Sequence, residues 1–238
     1  MIKTAVFNFK GGTGKSTTTL NLGAAIASQG HQTLLIDLDG QRTLSYGLGL
    51  DGDLPTALDF LQSQTVEPLA TNIPHLFLIP GALEMFNLTA DKDLFTPALA
   101  KLTTYQFCFM DCSPGLGIAS VQAILSGDRI LIPVVGEPAA LKGLSEAIQL
   151  IRNERPTVPI DVLRVRYRPR LVLTKEADTL LESGATELGF DLLQTVIPEN
   201  IAVAEAIAHQ TPVTTYAPKS QGAQAYHQLA QEYRAKLP

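Results

Sequence analysis

A glycine-rich segment near the start of the sequence contains the residue types that bind phosphate. It consists of residues 10–17, Lys10-Gly11-Gly12-Thr13-Gly14-Lys15-Ser16-Thr17, and an apolar helical pattern follows it. Glycines let backbone N–H groups approach phosphate oxygens, and the positive end of the following helix points to the same place. In this pattern Lys15 reaches the β- and γ-phosphates and the Ser16 hydroxyl binds Mg²⁺. The segment predicts an ATP-binding loop; the alternative is a glycine-rich turn that happens to precede a helix.

Three aspartates at the ends of two apolar runs could complete a site for Mg²⁺ and hydrolysis. Asp37 and Asp39 end the first run, and their spacing puts both side chains on one side of an extended chain. Asp111 directly follows the second run, at 107–110. Carboxylates that face a phosphate loop hold Mg²⁺ or orient an attacking water. We predict Asp37 and Asp111 as Mg²⁺ ligands. A turn-capping role for Asp37, or an apolar strand that ends in Asp by chance, is the alternative.

The chain alternates between short apolar runs and amphipathic stretches. The runs predict strands near 2–8, 33–37, 76–80, 106–111, 129–135, 170–174 and 192–197. The stretches predict helices near 15–29, 55–62, 93–102, 117–126, 139–153, 178–188, 200–208 and 221–235. Continuous apolar strands are typical of a sheet covered on both faces, and the alternation with helices indicates parallel strands. We predict a doubly wound, mainly parallel α/β sheet of the P-loop NTPase type, as one domain over residues 1–238.

Composition limits the classes of protein to consider. Of the 238 residues 45% are hydrophobic and 17% are charged, and no apolar run reaches the ~20 residues of a membrane span. The first residues lack the features of a secretory leader. Cys108 and Cys112 are too few for a disulfide framework and poorly spaced for zinc. We therefore expect a reduced, cytoplasmic setting and no membrane partner. The net charge is −5, but residues 152–170 carry +4, which leaves −9 on the rest.

The phosphate loop departs from the usual pattern at its beginning. Phe9 stands where a glycine is expected, and a second lysine, Lys10, comes next. The segment resembles the deviant Walker A motif, K-G-G-x-G-K-[ST], of the ParA/MinD ATPases. This resemblance implies a homodimer that forms on ATP binding, in which Lys10 crosses to the partner's phosphates and assists catalysis together with Lys15 and Asp39. A solvated surface lysine is the alternative for Lys10.

The two acidic strand ends also resemble motifs of this family. Residues 37–41 are similar to D-x-D-P-Q, in which the second aspartate positions the water for hydrolysis, a role that falls to Asp39. Gly40 replaces the family's proline, which should loosen the turn. Residues 111–117 are similar to the D-C-P-P-S-L-G switch loop. The nitrogenase iron protein shares this fold, but we expect no iron–sulfur cluster, because Cys108 belongs to a strand and should be buried.

The last third of the chain extends the resemblance. Residues 197–206 are similar to I-P-R-N-x-x-x-x-E-A, which implies that Pro198 and Asn200 line the adenine pocket. From the residues alone, Pro198 ends a strand and Asn200 caps a helix, and the two interpretations are compatible. Residues 217–226 resemble the family's closing helix, D-P-[KR]-S-R-G-A. The resemblance covers residues 2–235 and is closer to ParA than to MinD.

Two family arginines are absent from regions that present basic residues to DNA: Glu199 and Gln221 stand in their places. A nearby cluster could substitute, since its arginines alternate with other residues and would share one face of an extended segment. Its members are Arg164, Arg166, Arg168 and Arg170. The alternative is a charged edge strand that prevents aggregation.

The resemblance implies a positioning ATPase that binds DNA non-specifically as an ATP dimer. It would associate with the nucleoid until a ParB-like or other cargo adaptor stimulates hydrolysis. The cargo would be a chromosome or plasmid, or alternatively a protein organelle or chemotaxis cluster. A MinD-like membrane ATPase needs a basic amphipathic C-terminal helix, whereas residues 231–238 offer only Arg234 and Lys236 as basic side chains. A P-loop enzyme acting on a small metabolite is a further alternative, but such an enzyme would have less need of Lys10.

Overall fold

The strands of the chain form one sheet in the computed structural model, which describes residues 1–62 and 66–237, apart from the side chains of 138–140. The strands are β1 Ile2–Val6, β2 Thr33–Asp37, β3 Leu69–Ala70, β4 Leu76–Ile79, β5 Phe107–Asp111, β6 Arg129–Val135, β7 Ile160–Tyr167 and β8 Asp191–Pro198. Their order across the sheet is β3-β4-β2-β5-β1-β6-β7-β8. All neighbours are parallel except the β3–β4 pair.

Helices cover both faces of this sheet. They are α1 Lys15–Ala27, α2 Thr43–Gly47, α3 Ala57–Leu61, α4 Phe95–Leu99, α5 Ile118–Ser126, α6 Pro138–Glu154, α7 Val172–Leu188, α8 Ile201–Ala208, α9 Val213–Tyr216 and α10 Gln221–Ala235, with a 3₁₀ helix at Leu83–Asn87. Successive strand residues enter two different cores. Leu34 and Ile36 share a core with α3–α7, whereas Leu35 shares a core with α1 and α10. The predicted doubly wound, mainly parallel α/β fold is confirmed.

The carboxyl ends of β1, β2 and β5 lie side by side. Val6 and Asp37 are both register partners of Asp111, one on each side of β5. The phosphate loop leaves β1 at this edge and leads into α1. Ligands of open α/β sheets bind at this edge. The topology therefore places the glycine-rich loop beside both buried aspartates.

The strand predicted near 170–174 is wrong. Most of that segment begins helix α7, and the strand in this part of the sheet is β7, at Ile160–Tyr167. Two buried charged residues inside β7, Asp161 and Arg164, hid it, because they interrupt its apolar run. Both are paired: Asp161 accepts a hydrogen bond from Arg129 Nη2 at 2.7 Å, and Arg164 Nη2 donates to the Leu193 carbonyl at 2.8 Å. Buried charges are tolerated when they are paired in this way.

Several short elements had no sequence signal. They are β3, α2, the 3₁₀ helix at Leu83–Asn87 and α9, each of five residues or fewer. Hydrophobic periodicity needs a longer window than this. None of the described helices combines the length and hydropathy that crossing a bilayer requires. Pro238, the last residue of the segment considered for a membrane helix, lies outside the described residues.

Candidate nucleotide site

The predicted phosphate loop has the backbone of an anion-binding loop. Gly12 and Gly14 have φ angles of 73° and 81°, which glycine adopts without a steric penalty. Gly14 is the N-cap residue of α1, and its carbonyl accepts the first helical hydrogen bond, from Thr18 N, at 2.8 Å. The unpaired N–H groups of the first turn of α1 therefore open onto the loop. This places Thr13, Ser16 and Thr17 at the positive end of a 13-residue helix.

The two lysines of the loop point in different directions. Lys15 is only 6% exposed, and its Nζ donates to the Lys10 carbonyl at 3.2 Å. Burial lowers the pKa of Lys15, and the negative charge of Asp111 opposes this shift. Lys10 is exposed, and among the described residues its ammonium has no ion pair. The Lys15 side chain thus binds to its own loop, whereas the Lys10 side chain is exposed to solvent.

Asp37 and Asp111 form a buried acidic pair below the loop. Burial raises the pKa of Asp37 to about 6, despite hydrogen bonds from Ser45. Burial, and next the charge of Asp37, raise the pKa of Asp111 well above its usual range. Asp111 Oδ2 is buried without a hydrogen-bond partner. Such an orphaned oxygen fits a cation, and Mg²⁺ needs only one or two carboxylates when phosphates and water supply its other ligands.

Asp37 has a second function that the sequence offered only as an alternative. Its Oδ1 accepts a hydrogen bond from Asp39 N at 3.1 Å, and its Oδ2 accepts from Ser45 N at 2.9 Å and Ser45 Oγ at 2.6 Å. Both oxygens therefore organise the turn after β2. Among the described residues no group of three or more acidic, histidine or cysteine side chains could hold a metal ion. A Mg²⁺ site here needs Ser16 and the nucleotide as well.

The raised pKa of Asp37 predicts a pH dependence of stability. Its pKa in the folded protein, about 6, exceeds the ordinary value of 3.8, so this group favours folding at low pH. That contribution is full below about pH 3.8 and is lost as pH rises through about 6. We expect the ligand-free protein to lose about 1 kcal/mol of stability from this group between about pH 5 and pH 7. Denaturant titrations of wild type and Asp37→Asn measure the difference; parallel pH curves for the two proteins would refute it.

Asp39 is buried in a hydrogen-bonded turn after β2. Its Oδ1 accepts from Gln41 N at 2.9 Å, and its backbone carbonyl accepts from Arg42 N, also at 2.9 Å. The described residues give no hydrogen bond to its Oδ2. One carboxylate oxygen therefore fixes the turn, and the other is available to a water or a ligand.

The loop after β5 approaches the phosphate loop from the opposite side. A Cβ atom on Gly11 would lie 3.9 Å from Pro114 Cγ, so the two loops are in contact. Gly115 has a φ of 87°, and Ser113 Oγ lies 3.1 Å from Ser120 Oγ at the start of α5. Cys112 and Cys108 are buried free thiols, and burial raises the pKa of Cys108 to about 12.

A cavity of about 500 Å³ joins the phosphate loop to the predicted base-binding residues. Pro198 ends β8, and Asn200 is the N-cap residue of α8. Asn200 makes no side-chain capping bond, and its Oδ1 is buried without a partner. A ligand that donates a hydrogen bond, such as a base edge, would satisfy this oxygen. The cavity is lined by Gly12, Gly14, Thr17, Thr18, Val165, Arg166, Ile197, Pro198, Glu199, Asn200, Ile201, Val203, Ala204, Ile207 and Tyr226.

Several of these residues were not predicted to line a nucleotide site, and Arg166 was predicted only as a DNA contact. Val165 and Arg166 lie on a strand that the sequence analysis misplaced, and Tyr226 lies on α10, about 200 residues after the phosphate loop. No local pattern distinguishes them, because the fold alone brings them together. A prediction that placed this strand at Ile160–Tyr167 would have put Val165 and Arg166 at its carboxyl end.

The four arginines near β7 do not share one exposed face, contrary to the sequence prediction. Arg164 is buried and pairs with Asp178 at 3.4 Å, so it is not free for phosphate. Arg166 has a left-handed φ of 50°, and Arg168 and Arg170 lie beyond the end of the strand. These three are exposed, but Glu199 forms ion pairs with Arg166, at 3.5 Å, and with Arg168. Arg168, by hydrogen bonding, is the main cause of the lowered pKa of Glu199.

Comparison with known proteins gives the class to which this fold and site belong. The family model of AAA domains matches residues 1–160. The chromosome-partitioning ATPase Soj of Treponema pallidum is 32% identical, and the alignment covers 99% of this chain and 98% of that protein. The protein is therefore an ATPase of the P-loop, AAA-domain class.

Solved structures agree with this assignment. The cell division ATPase MinD of Pyrococcus furiosus superposes with a TM-score of 0.84 at 27% identity, over 99% of each chain. MinD of Pyrococcus horikoshii, in complex with Mg-ADP, has a TM-score of 0.82 at 27% identity, over 98% of this chain and 96% of that one. The chain belongs to the Soj/ParA family and is a ParA-like positioning ATPase.

Proposed function

We propose that this protein binds ATP with Mg²⁺, dimerises around the nucleotide, and uses hydrolysis to release itself from DNA and cargo. Lys15 and the loop amides hold the phosphates, and Pro198 and Asn200 hold the base. Ser16 and Asp111 would hold Mg²⁺, with Asp37 beside them, and Asp39 orients the attacking water. The metal ion, when bound, neutralises charge on the β- and γ-phosphates.

The exposed second lysine carries this proposal. The Lys10 carbonyl accepts the Lys15 ammonium within the same chain, while the Lys10 side chain points to solvent at the mouth of the site. A cation in this position can reach the phosphates of a second copy that faces the loop. It would then neutralise charge that develops during phosphoryl transfer, as arginine fingers do. Dimerisation and catalysis are coupled by this one residue.

The experiment that tests the function is an ATPase assay with two additions. Hydrolysis is measured with the protein alone, with unrelated duplex DNA, and with DNA plus the product of the neighbouring gene. We expect a slow basal rate that rises only when the adaptor is present. A fast rate that neither addition changes would contradict the switch and favour an enzyme that acts alone on a small molecule.

Only some of the arginines in residues 152–170 are available for non-specific DNA binding. Arg152 and Arg155, both partly exposed, donate to backbone carbonyls, and Arg164 is buried, so three of the six arginines in residues 152–170 already have partners within the chain. The exposed remainder is Arg166, Arg168 and Arg170, and Glu199 pairs with the first two. An ATP dimer presents this set twice, which makes binding ATP-dependent through avidity.

A salt titration checks the DNA proposal. Each phosphate contact contributes about −0.9 to the slope of log K against log salt. We expect the double change Arg168→Ala and Arg170→Ala to flatten the slope on two unrelated duplexes, and Glu199→Gln to steepen it. Arg234→Ala is the matched control, since this exposed arginine contacts Gln29 beyond the far end of α1. If none of the variants changes the slope, this surface does not contact DNA.

A further inference from the structure

An aromatic ring on the 3₁₀ helix Leu83–Asn87 packs against the turn that carries Asp39. A Cβ atom on Gly40 would lie 2.5 Å from both Cδ2 and Cε2 of Phe86, closer than real Cβ contacts allow. Gly40 does not have a positive φ. Any side chain at this position would therefore displace the Phe86 ring, so it is the close approach of the ring, and not an unusual backbone conformation, that favours glycine here.

Hydrogen bonds tie the start of the same segment to the same turn. Gly81 N donates to Ser45 Oγ at 2.9 Å, and Ser45 Oγ donates to Asp37 Oδ2 at 2.6 Å. A Cβ on Gly81 would also lie 3.0 Å from the Asp39 carbonyl oxygen. Residues 81–86 thus contact the turn at two points, one on each side of Asp39.

Phe86 packs against the turn although it is largely exposed to solvent. Its side chain is 55% exposed, although burial would stabilise a ring of this size by ~2 kcal/mol. Its neighbour Leu83 is similarly exposed, at 58%, yet the three atoms nearest to the Gly40 position all belong to Phe86. Of these two exposed side chains on the 3₁₀ helix, Phe86 is therefore the one that packs against Gly40.

We infer that Phe86 is a positioning residue for ATP hydrolysis: its ring, packed on Gly40, holds the turn from which Asp39 presents its carboxylate. The inference rests on the proposed role of Asp39 in orienting water. Gly40 gives the turn more backbone freedom than a residue with a side chain would. The ring restricts the turn from outside, and Phe86 is not among the residues that line the cavity beside the phosphate loop.

The test compares Phe86→Ala with Leu83→Ala, a matched control on the same helix. Misplacement of a catalytic group by about 1 Å costs up to 100-fold, so we expect kcat to fall about tenfold in Phe86→Ala. ATP affinity and the ATP-dependent change in mass should stay at wild-type values. Leu83→Ala should be unchanged in all three measurements, and Phe86→Tyr, which keeps the ring, should retain wild-type kcat.

A second pair of variants separates positioning from a general loss of structure. Gly40→Ala alone should lower kcat, because the new Cβ collides with the ring. Gly40→Ala combined with Phe86→Ala should recover activity above either single change, since the methyl enters vacated space and restricts the turn. A wild-type kcat in Phe86→Ala, a double variant no better than the singles, or loss of ATP affinity or dimer mass in Phe86→Ala would each overturn the inference.

Asp39→Ala, measured in parallel, distinguishes this inference from the proposed function. A wild-type rate in Asp39→Ala would refute the role of Asp39 and the inference together. A stalled Asp39→Ala beside an unaffected Phe86→Ala would refute the inference alone.

Discussion

Replacing Lys15 with alanine is expected to weaken ATP binding by roughly 10- to 150-fold, the equivalent of one charge-assisted hydrogen bond. The side chain is buried at the start of α1, and without nucleotide its ammonium has only the Lys10 carbonyl as a hydrogen-bond partner among the described residues. Bound phosphate replaces that neutral acceptor with charged oxygens. Isothermal titration with a non-hydrolysable ATP analogue and Mg²⁺ measures the loss.

Lys10→Ala is the control for this prediction. Lys10 is exposed, and among the described residues its ammonium has no ion pair, so affinity for the analogue in the monomer should be retained. The ligand-free Lys15→Ala protein should be at least as stable as wild type, because burial of that charge is unfavourable, as its lowered pKa indicates. Unaltered ATP affinity in Lys15→Ala would show that residues 10–17 are not the phosphate loop.

Replacing Asp39 with alanine is expected to leave ATP binding intact and to slow hydrolysis roughly 100-fold or more. The carboxylate contacts its own turn through Oδ1, and among the described residues it has no hydrogen bond to the phosphate loop. Single-turnover hydrolysis with saturating ATP and Mg²⁺ isolates this step from binding. Asp53→Ala, which removes an exposed carboxylate from the loop after α2, should hydrolyse ATP at the wild-type rate. A normal rate in Asp39→Ala would contradict the assigned role.

The parts of the site that lie close together in sequence were predictable. Residues 10–17 combine glycines, a lysine and hydroxyls between a strand and a helix, and this local order has few other interpretations. Asp37 and Asp111 were predictable because parallel strands bring their carboxyl ends to one edge. The apolar runs around them also indicated the doubly wound sheet.

The parts that depend on long-range packing were not predictable. β7 was hidden by Asp161 and Arg164, whose partners Arg129 and Asp178 lie on other elements. Once β7 was misplaced, the arginines beside it could not be assigned to faces. The Phe86–Gly40 contact joins residues 46 positions apart through a five-residue 3₁₀ helix that has no periodic signature.

The most direct test of the account is the mass of the Asp39→Ala protein by light scattering, with Mg²⁺ and either ATP or ADP. Stalled hydrolysis should trap a dimer of twice the 25.6 kDa chain mass with ATP and leave a monomer with ADP. Adding Lys10→Ala to the same protein should return the monomer with ATP, because the cation that reaches the partner's phosphates is gone. A mass of one chain in ATP, or a dimer that persists without Lys10, would contradict an ATP-driven dimer switch.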